Sequence, residues 1–158
     1  MAAETKSERV AATVRGFRQS DVLAVTKILG EAPEAAKWPE ESYQEVLTWP
    51  GVVALVSKFD GKVTGLILGR CVADEAEILN LAVLPPARRR GEGGALLKSV
   101  LEEFRSRGVT RVFLEVRESN MTAITFYTKH GFEKAGRRGG YYRNPDEAAI
   151  VMAKELTK

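Results

Sequence analysis

The chain has 158 residues, 44% of them apolar, which is enough for one domain with a buried core. Its 24 basic and 21 acidic side chains leave a net charge of +3, and a charge this small and evenly spread does not indicate nucleic-acid binding. One cysteine and one histidine exclude an internal disulfide and leave too few of the usual ligands for zinc.

Segment 1–12 is small, polar and charged, with no apolar period. We therefore expect a disordered leader there and a single ordered domain over 13–158. The leader lacks a basic start followed by an apolar stretch, and no run in the chain approaches the roughly 18 apolar residues that cross a bilayer. These features predict a cytoplasmic protein without membrane contact, and we expect a monomer or a weak dimer.

The first third of the domain predicts a strand and two helices. A strand over 13–17 is followed by a helix over 22–29, which Ser20-Asp21 caps and Gly30 ends. A short helix begins at Glu40-Glu41 and ends before Pro50. The break between these helices includes Trp38, and Tyr43 lies beside it. Such aromatic side chains serve either as packing anchors or as ligand contacts, and both interpretations remain open.

Three strands follow. Apolar runs over 52–57 and 63–72 flank Asp60-Gly61, a strong signal for a hairpin turn, and a third run covers 77–84. Because the connections are short, we expect the three strands to pair in antiparallel succession.

An arginine- and glycine-rich segment, 88–94, separates the strand over 77–84 from an amphipathic helix. Glycines allow close approach of a ligand to the backbone, and the N–H groups of a first helical turn attract anions. The pattern fits either a phosphate site or a tight turn with solvated arginines. It is not a P-loop, which needs Lys and Ser or Thr after the last glycine, and its glycine spacing does not fit a dinucleotide fingerprint.

The remaining elements complete the predicted sheet. A strand over 109–116 pairs parallel to the strand over 77–84, because a helix connects them. Asn120 opens a helix that Gly131 ends, and closing strands over 132–135 and 149–156 flank a loop that contains 139–145. The predicted fold is α/β (α+β), a mixed, mainly antiparallel sheet with helices on both faces.

Two polar side chains lie inside otherwise apolar elements. Glu115 is a carboxylate within a strand, which fits an outward position, an ion pair with Arg111 or Arg117, or a site. Tyr127 lies mid-helix beside a face that we expect to be buried, where most tyrosines are core residues.

Together with the loop, these residues lie in two spaced patterns. The first is Arg-x-x-Gly-x-Gly over 88–93, after a strand that contains Asn-Leu-Ala-Val over 80–83. The second extends from Leu114-Glu115 through Asn120 and Phe126-Tyr127 to Gly131-Phe132, with Tyr141-Tyr142 beyond it. These patterns resemble the GNAT family of N-acetyltransferases, and within it the ribosomal-protein-alanine N-acetyltransferases.

The resemblance implies acetyl-CoA as the cofactor and assigns roles to residues. Glu115 would be the general base, acting through water, and Tyr127 would protonate the departing thiolate of CoA. The implied cofactor-binding residues are Leu81, Ala82, Val83, Arg88, Arg89, Arg90, Gly91, Glu92, Gly93, Gly94, Asn120 and Tyr127. The implied acceptor-binding residues are Trp38, Glu41, Tyr43, Tyr141, Tyr142 and Asn144, and no metal is implied. We expect Glu92 to point to solvent, since an anion loop acts mainly through backbone N–H groups, while Gly94 replaces a more usual polar or basic residue.

The implied reaction is acetyl transfer to the N-terminal α-amine of a protein, with a ribosomal protein as one candidate acceptor. An unperturbed α-amine has a pKa about 2.5 units below that of lysine, so much more of it is neutral at pH 7. Alternatives are an acetyltransferase for lysine, a polyamine or another small amine, and a non-catalytic module that senses CoA or contacts RNA.

Overall fold

The computed structural model describes residues 12–32, 40–84 and 91–157. The predictions for the leader over 1–11, for Trp38, and for Arg88, Arg89 and Arg90 lie outside the described residues. The elements in chain order are β1 (Thr13–Gly16), a 3-10 turn (Gln19–Asp21), α1 (Val22–Gly30), α2 (Glu40–Val46), β2 (Val52–Phe59), β3 (Lys62–Val72), β4 (Glu75–Val83), α3 (Glu92–Ser106), β5 (Arg111–Arg117), α4 (Met121–Lys129), β6 (Glu133–Tyr142) and β7 (Glu147–Glu155).

Within the described residues, seven strands form one sheet in the order β1-β2-β3-β4-β5-β7-β6. Its neighbouring strands are antiparallel, except that β4 and β5 run parallel because α3 carries the chain back between them. Asp60 and Gly61, with φ of 51° and 74°, make the predicted hairpin turn between β2 and β3. The predicted mixed, mainly antiparallel sheet is confirmed.

Helices cover both faces of this sheet, as the sequence predicts. On β3, Leu66 and Leu68 face a core shared with α1 and α2, whereas Ile67 faces a second core shared with α3 and α4. Burial of each such aliphatic side chain stabilises the fold by about 1.5–3 kcal/mol. The two cores hold the central strands rigidly, and the candidate site lies where these strands end.

A bulge in β4 changes which face its residues occupy. Leu68 pairs with Asn80 and Gly69 pairs with Ile78, so Leu79 is an extra residue on β4. Ile78 packs into the core beneath α3, whereas Ala82, four residues later, packs into the core beneath α1 and α2. Strict alternation would place both side chains on one face of the sheet. The extra residue at the bulge therefore exchanges the two faces for the residues that follow it.

β4 and β5 separate at this bulge. Their parallel pairing extends from Glu75 opposite Arg111 to Ile78 opposite Leu114 and then stops, although both strands continue. A bulge increases local twist and ends pairing, which explains the separation physically. The sheet is therefore open between residues 79–83 of β4 and residues 115–117 of β5.

Two local predictions need correction. The Asp21 side chain does not cap α1, because its carboxylate instead accepts hydrogen bonds from the Arg15 guanidinium, at 2.7 and 2.8 Å, and from the Arg18 backbone N–H. These bonds hold the pKa of Asp21 below its ordinary value. Gly30 is the last residue of α1 and is not a stop signal beyond it.

The predicted loop over 139–145 is also wrong in part. Gly139, Gly140, Tyr141 and Tyr142 lie within β6, and the register with β7 shifts between Arg138 and Tyr142. Glycines lower strand propensity, so this sequence resembles a loop, but pairing with the buried strand β7 extends β6 beyond it.

Candidate active site

The start of α3 has the backbone geometry of an anion site. Gly91 precedes the helix with φ of 80°, a conformation that glycine adopts without strain. Its carbonyl accepts the first helical hydrogen bond, from Ala95 at 3.0 Å. The N–H groups of residues 92–94 have no carbonyl one turn earlier in the helix, so they are available to a ligand at the positive end of the helix dipole.

Gly93 and Gly94 bring the start of α3 close to α4. A Cβ atom at Gly93 would lie 3.6 Å from the Phe126 ring, and one at Gly94 would lie 3.3 Å from the His130 Nε2. The His130 Nδ1 lies 2.8 Å from the Phe126 carbonyl oxygen, which fixes the ring and directs Nε2 toward α3. The His130 imidazole therefore lies beside Gly94, where a larger side chain would crowd it.

A cavity of about 280 Å³ continues along α3 from Gly94. Lys98 and Arg105 on α3 and Lys154 on β7 place positive charge around it, and the Lys154 ammonium donates a 2.6 Å hydrogen bond to the His130 carbonyl. The charge and position of this cavity suit a phosphate-bearing ligand that begins at the helix terminus.

Glu92 does not point to solvent, contrary to expectation. Its side chain is 1% exposed, and its Oε2 accepts hydrogen bonds from the Ser57 hydroxyl at 3.0 Å and the Thr64 hydroxyl at 2.6 Å. Its Oε1 is buried without a hydrogen-bond partner among the described residues. The carboxylate lies beneath the anion site and joins the first turn of α3 to β2 and β3.

The Asn120 side chain caps α4, as predicted. Its carbonyl oxygen accepts a 3.1 Å hydrogen bond from the Ala123 N–H. The cap fixes the carboxamide at the start of α4, and the contact between Asn120 and a cofactor remains a prediction.

Tyr127 is a core residue with a neutral hydroxyl. The side chain is 6% exposed, and its ring packs edge-on against Phe126 at 5.1 Å and Phe132 at 5.5 Å between centroids. Desolvation raises the pKa of Tyr127 well above its ordinary value. The hydroxyl therefore keeps its proton at neutral pH, as a general acid must before it acts.

Glu115 lies on the opposite face of β5 from its buried neighbours Leu114 and Val116. Its side chain is 16% exposed and forms an ion pair with Arg138 on β6, at 3.2 Å. Of the alternatives for Glu115, the outward position is confirmed, and the ion pair with Arg111 or Arg117 is wrong. Those two arginines instead pair with acidic residues on β7, Arg111 with Glu155 at 3.4 Å and Arg117 with Glu147 at 3.3 Å.

Tyr141 joins Glu115 in this cluster. The neighbouring Glu115 carboxylate is the main reason that the pKa of Tyr141 is raised, because it favours the protonated hydroxyl. The Arg138 guanidinium lies 5.5 Å from the centre of the Tyr141 ring, and the ring is 48% exposed. The partly exposed Glu115 carboxylate, the Arg138 guanidinium and the Tyr141 ring therefore share one surface, beside the gap between β4 and β5.

Of the other predicted acceptor residues, Tyr142 adjoins this cluster, because its half-buried ring packs edge-on against Tyr141 at 5.0 Å between centroids. Tyr142 packs beneath Arg117, whose guanidinium is 4.4 Å from the ring centre. Tyr43 is 1% exposed within the core beneath α1 and α2, which favours the packing interpretation and leaves an acceptor almost no surface to reach. Glu41 on α2 and Asn144, at φ 56° in the turn after β6, are exposed, and their acceptor contacts remain predictions.

The sequence analysis did not single out Glu77. This residue pairs with Phe113 in the parallel ladder, on the same face as Glu115. The pKa of Glu77 is raised, mainly by desolvation and then by the charge of Glu115, against an opposing effect of Arg138. Glu77 lies at the charged start of β4, after Glu75 and Ala76, so its sequence context gave no signal of a site.

No group of three His, Cys, Asp or Glu side chains that could hold a metal ion occurs over residues 12–32, 40–84 and 91–157. In the same ranges, no helix is both long and apolar enough to span a membrane.

The sequence pattern of the acetyltransferase (GNAT) family matches residues 22–132. This match spans more than half of the chain, and the chain belongs to the GNAT family. The family predicted from the sequence is confirmed, together with its fold.

Known members of the family are similar over different lengths. The [ribosomal protein bS18]-alanine N-acetyltransferase of Escherichia coli strain K12 is 43% identical over 96 residues, which cover 60% of this chain and 65% of that protein. The chain thus matches just under two thirds of the length of that curated relative. A Bacillus subtilis strain 168 protein, provisionally given the same name, is 35% identical over 143 residues, 89% of this chain and 93% of that protein.

Solved structures extend the comparison. The E. coli ribosomal-protein-S18-alanine N-acetyltransferase superposes with a TM-score of 0.84 at 33% identity, over 93% of this chain and 95% of that chain. The predicted similarity to this type of enzyme is confirmed. A GNAT acetyltransferase from Elizabethkingia anophelis, solved with acetyl-CoA bound, has the same fold, with a TM-score of 0.76 at 19% identity over 94% of this chain and 100% of that chain.

Proposed function

We propose that this chain transfers an acetyl group from acetyl-CoA to the N-terminal α-amine of a protein. The observation that carries the proposal is the separation of β4 and β5 after Ile78 and Leu114. One end of this opening adjoins the anion site of α3, and Glu115 lies on β5 where the opening begins. A thioester placed in the opening would lie between a phosphate cradle and a carboxylate that can serve an amine.

The cofactor would bind mainly through backbone groups. Its pyrophosphate would accept hydrogen bonds from the N–H groups of residues 91–94, with positive charge from Arg88, Arg89 and Arg90. Its pantetheine arm would lie along Leu81, Ala82 and Val83, where β4 no longer pairs with β5. Lys98, which lines the cavity together with Gly94, is positioned to supply the charge that Gly94 does not.

The side chains divide the proton transfers between them. Attack of a neutral amine on a thioester needs a base for the amine, a donor for the developing oxyanion and an acid for the leaving thiolate. Glu115 would act as the base through a water molecule, a backbone N–H of β4 would stabilise the oxyanion, and Tyr127 would protonate the sulfur. The reaction takes place by direct attack when both substrates are bound.

The acceptor assignment rests on the relatives and on amine chemistry. The names of the E. coli and B. subtilis relatives specify an alanine of ribosomal protein bS18. An α-amine also gives up its proton more readily than lysine, which suits a carboxylate base. A protein N-terminus, with a ribosomal protein as the first candidate, is therefore the proposed acceptor, and Tyr141 is the best-placed described side chain to contact it.

The test is an assay of free thiol release from acetyl-CoA with pairs of short peptides. One member of each pair has a free N-terminal alanine or serine, and the other has a blocked N-terminus and an internal lysine. The proposal expects release with the free N-termini alone. Release with the blocked lysine peptides or with spermidine would instead assign the enzyme to lysine or small amines, and binding of CoA without any release would indicate a sensing module.

A further inference from the structure

A second cavity, of about 470 Å³, lies between α1 and the hairpin of β2 and β3. Four basic side chains line it, each from a different element: Arg15 on β1, Lys27 on α1, Lys58 on β2 and Lys62 on β3. Only the fold brings these side chains together. The sequence expectation against nucleic-acid binding rested on an even spread of charge along the chain, and the fold does not preserve that spread.

One of the four positive charges is already compensated. The Arg15 guanidinium donates hydrogen bonds of 2.7 and 2.8 Å to the two carboxylate oxygens of Asp21, the one acidic residue among the described residues that line the cavity. Asp60, in the turn between Lys58 and Lys62, is exposed and does not line the cavity. The net charge of +3 on the lining side chains is therefore carried by the three lysines.

The three lysines have no protein partner in the part of the chain that the structure describes. None of them forms a hydrogen bond or an ion pair with another described residue. Lys27 and Lys62 are exposed, and Lys58 is half-buried. Like charges around one cavity repel one another, and a bound anion relieves that repulsion.

The available donors indicate which kind of anion suits the cavity. The planar fork of Arg15 would suit a bidentate contact with a single phosphate or carboxylate group, but Asp21 occupies it. Lysines are point charges on flexible stems, which attract phosphates without imposing one geometry. The cavity thus offers charge without a fixed shape, which suits the repeated phosphates of a nucleic-acid backbone better than one small anion.

The cavity lies on the same face of the sheet as the proposed acceptor surface. α1 packs on the face that Leu66 and Leu68 occupy. Glu115 points to that face as well, because its neighbours Leu114 and Val116 lie in the core beneath α3 and α4. β2 and β5 are three strands apart in the sheet, a separation of about 14 Å. A nucleic-acid strand in the cavity would therefore lie close to an acceptor N-terminus at Glu115.

We propose that this cavity binds the phosphate backbone of RNA that accompanies the acceptor protein. The choice of RNA rests on the proposed function, because a ribosomal protein occurs together with RNA. Lys27, Lys58 and Lys62 supply about three phosphate contacts, which hold the RNA while the N-terminus of the acceptor enters the opening between β4 and β5.

The test measures binding of a fluorescently labelled oligouridine RNA of about 12 nucleotides by anisotropy. CoA is present at saturation, so that the anion site of α3 is occupied. For a single strand, each lysine–phosphate contact adds about −0.7 to the slope of the logarithm of the binding constant against the logarithm of salt concentration. With three contacts, the wild-type affinity should fall by about 20-fold between 50 and 200 mM salt. The variant Lys58→Gln with Lys62→Gln, left with one contact, should bind more weakly at 50 mM salt and lose only about 3-fold.

The matched control is Lys129→Gln with Lys134→Gln, which removes the same charge from two exposed lysines outside the cavity. It should keep the affinity and the salt dependence of wild type. Acetylation of a short free peptide should be unchanged in the cavity variant, which shows that this variant is folded.

Three results would overturn the proposal. They are wild type that binds no RNA at 50 mM salt, RNA binding that falls equally in the cavity variant and the control or in neither, and displacement of the RNA by inorganic pyrophosphate at an equal concentration of phosphate groups. The last result would indicate a site for a small anion. Failure of the proposed function is distinguishable, because RNA binding needs no turnover, whereas wild type would then release no thiol with any free N-terminus.

Discussion

At the scale of single residues, replacement of the buried Tyr127 hydroxyl distinguishes an effect on catalysis from an effect on stability. Tyr127→Phe removes the proposed proton donor and keeps the ring between Phe126 and Phe132. We expect kcat to fall by about 100-fold or more, with little change in KM for acetyl-CoA or in the free energy of unfolding. Steady-state kinetics and urea unfolding measure these quantities. Tyr43→Phe, which removes another buried tyrosine hydroxyl, should keep wild-type kcat, and equal kcat in wild type and Tyr127→Phe would contradict the assigned role.

A second prediction at this scale concerns the effect of Glu77 on the stability of the folded protein. Its pKa is higher in the folded protein than in the unfolded chain, so ionisation of Glu77 is disfavoured by folding. The destabilising effect of Glu77 is absent at low pH, where its carboxyl is protonated in both the folded and the unfolded state. The effect appears as the pH rises above the pKa that Glu77 has in the unfolded chain. Glu77→Gln should therefore raise Tm at pH 8 and leave it unchanged at pH 3.5, relative to wild type. A lower Tm of this variant at pH 8, with Glu75→Gln unchanged, would contradict the raised pKa.

At the scale of elements, the attachment of α3 to the sheet depends on a buried carboxylate. Glu92 accepts hydrogen bonds from Ser57 on β2 and Thr64 on β3, and its second oxygen has no partner among the described residues. Thr64→Val keeps the side-chain shape but leaves the carboxylate less satisfied, which should destabilise the protein by about 1–3 kcal/mol. Urea unfolding measures the change, and Glu102→Gln on the exposed face of α3 is the control.

A triple variant, Glu92→Leu with Ser57→Ala and Thr64→Val, sharpens this prediction. It replaces the carboxylate and both hydroxyl donors by apolar side chains, so no buried polar group of this cluster is left without a partner. The triple variant should therefore be less destabilised than Thr64→Val alone. If it is more destabilised, the carboxylate stabilises the junction of α3 with the sheet by more than its desolvation costs.

At the scale of the whole molecule, much of the architecture follows from local sequence signals. The turn at Asp60-Gly61 and the cap at Asn120 depend on residues that are close in sequence, and the parallel pairing of β4 with β5 follows from the helix that connects them. The structure has all three. The patterns around the glycine loop and around Glu115 and Tyr127 were sufficient to indicate the family.

What the sequence could not show depends on contacts between distant residues. Glu92 is buried because hydroxyl groups 35 and 28 residues earlier in the chain reach it, and no periodicity of α3 indicates this. Glu115 on β5 forms an ion pair with Arg138 on β6, and these two strands lie close only because both pair with β7, which lies between them. The pKa of Glu77 is likewise raised partly by Glu115, which is its neighbour only because β4 and β5 lie side by side.

The account as a whole depends on acetyl transfer to an α-amine. The most direct test uses one peptide that has both a free N-terminal alanine and an internal lysine, incubated with the protein and acetyl-CoA. Tandem mass spectrometry then locates the acetyl group. We predict acetylation at the N-terminal nitrogen, lost in Tyr127→Phe; acetylation of the lysine with the N-terminus left free would contradict the account.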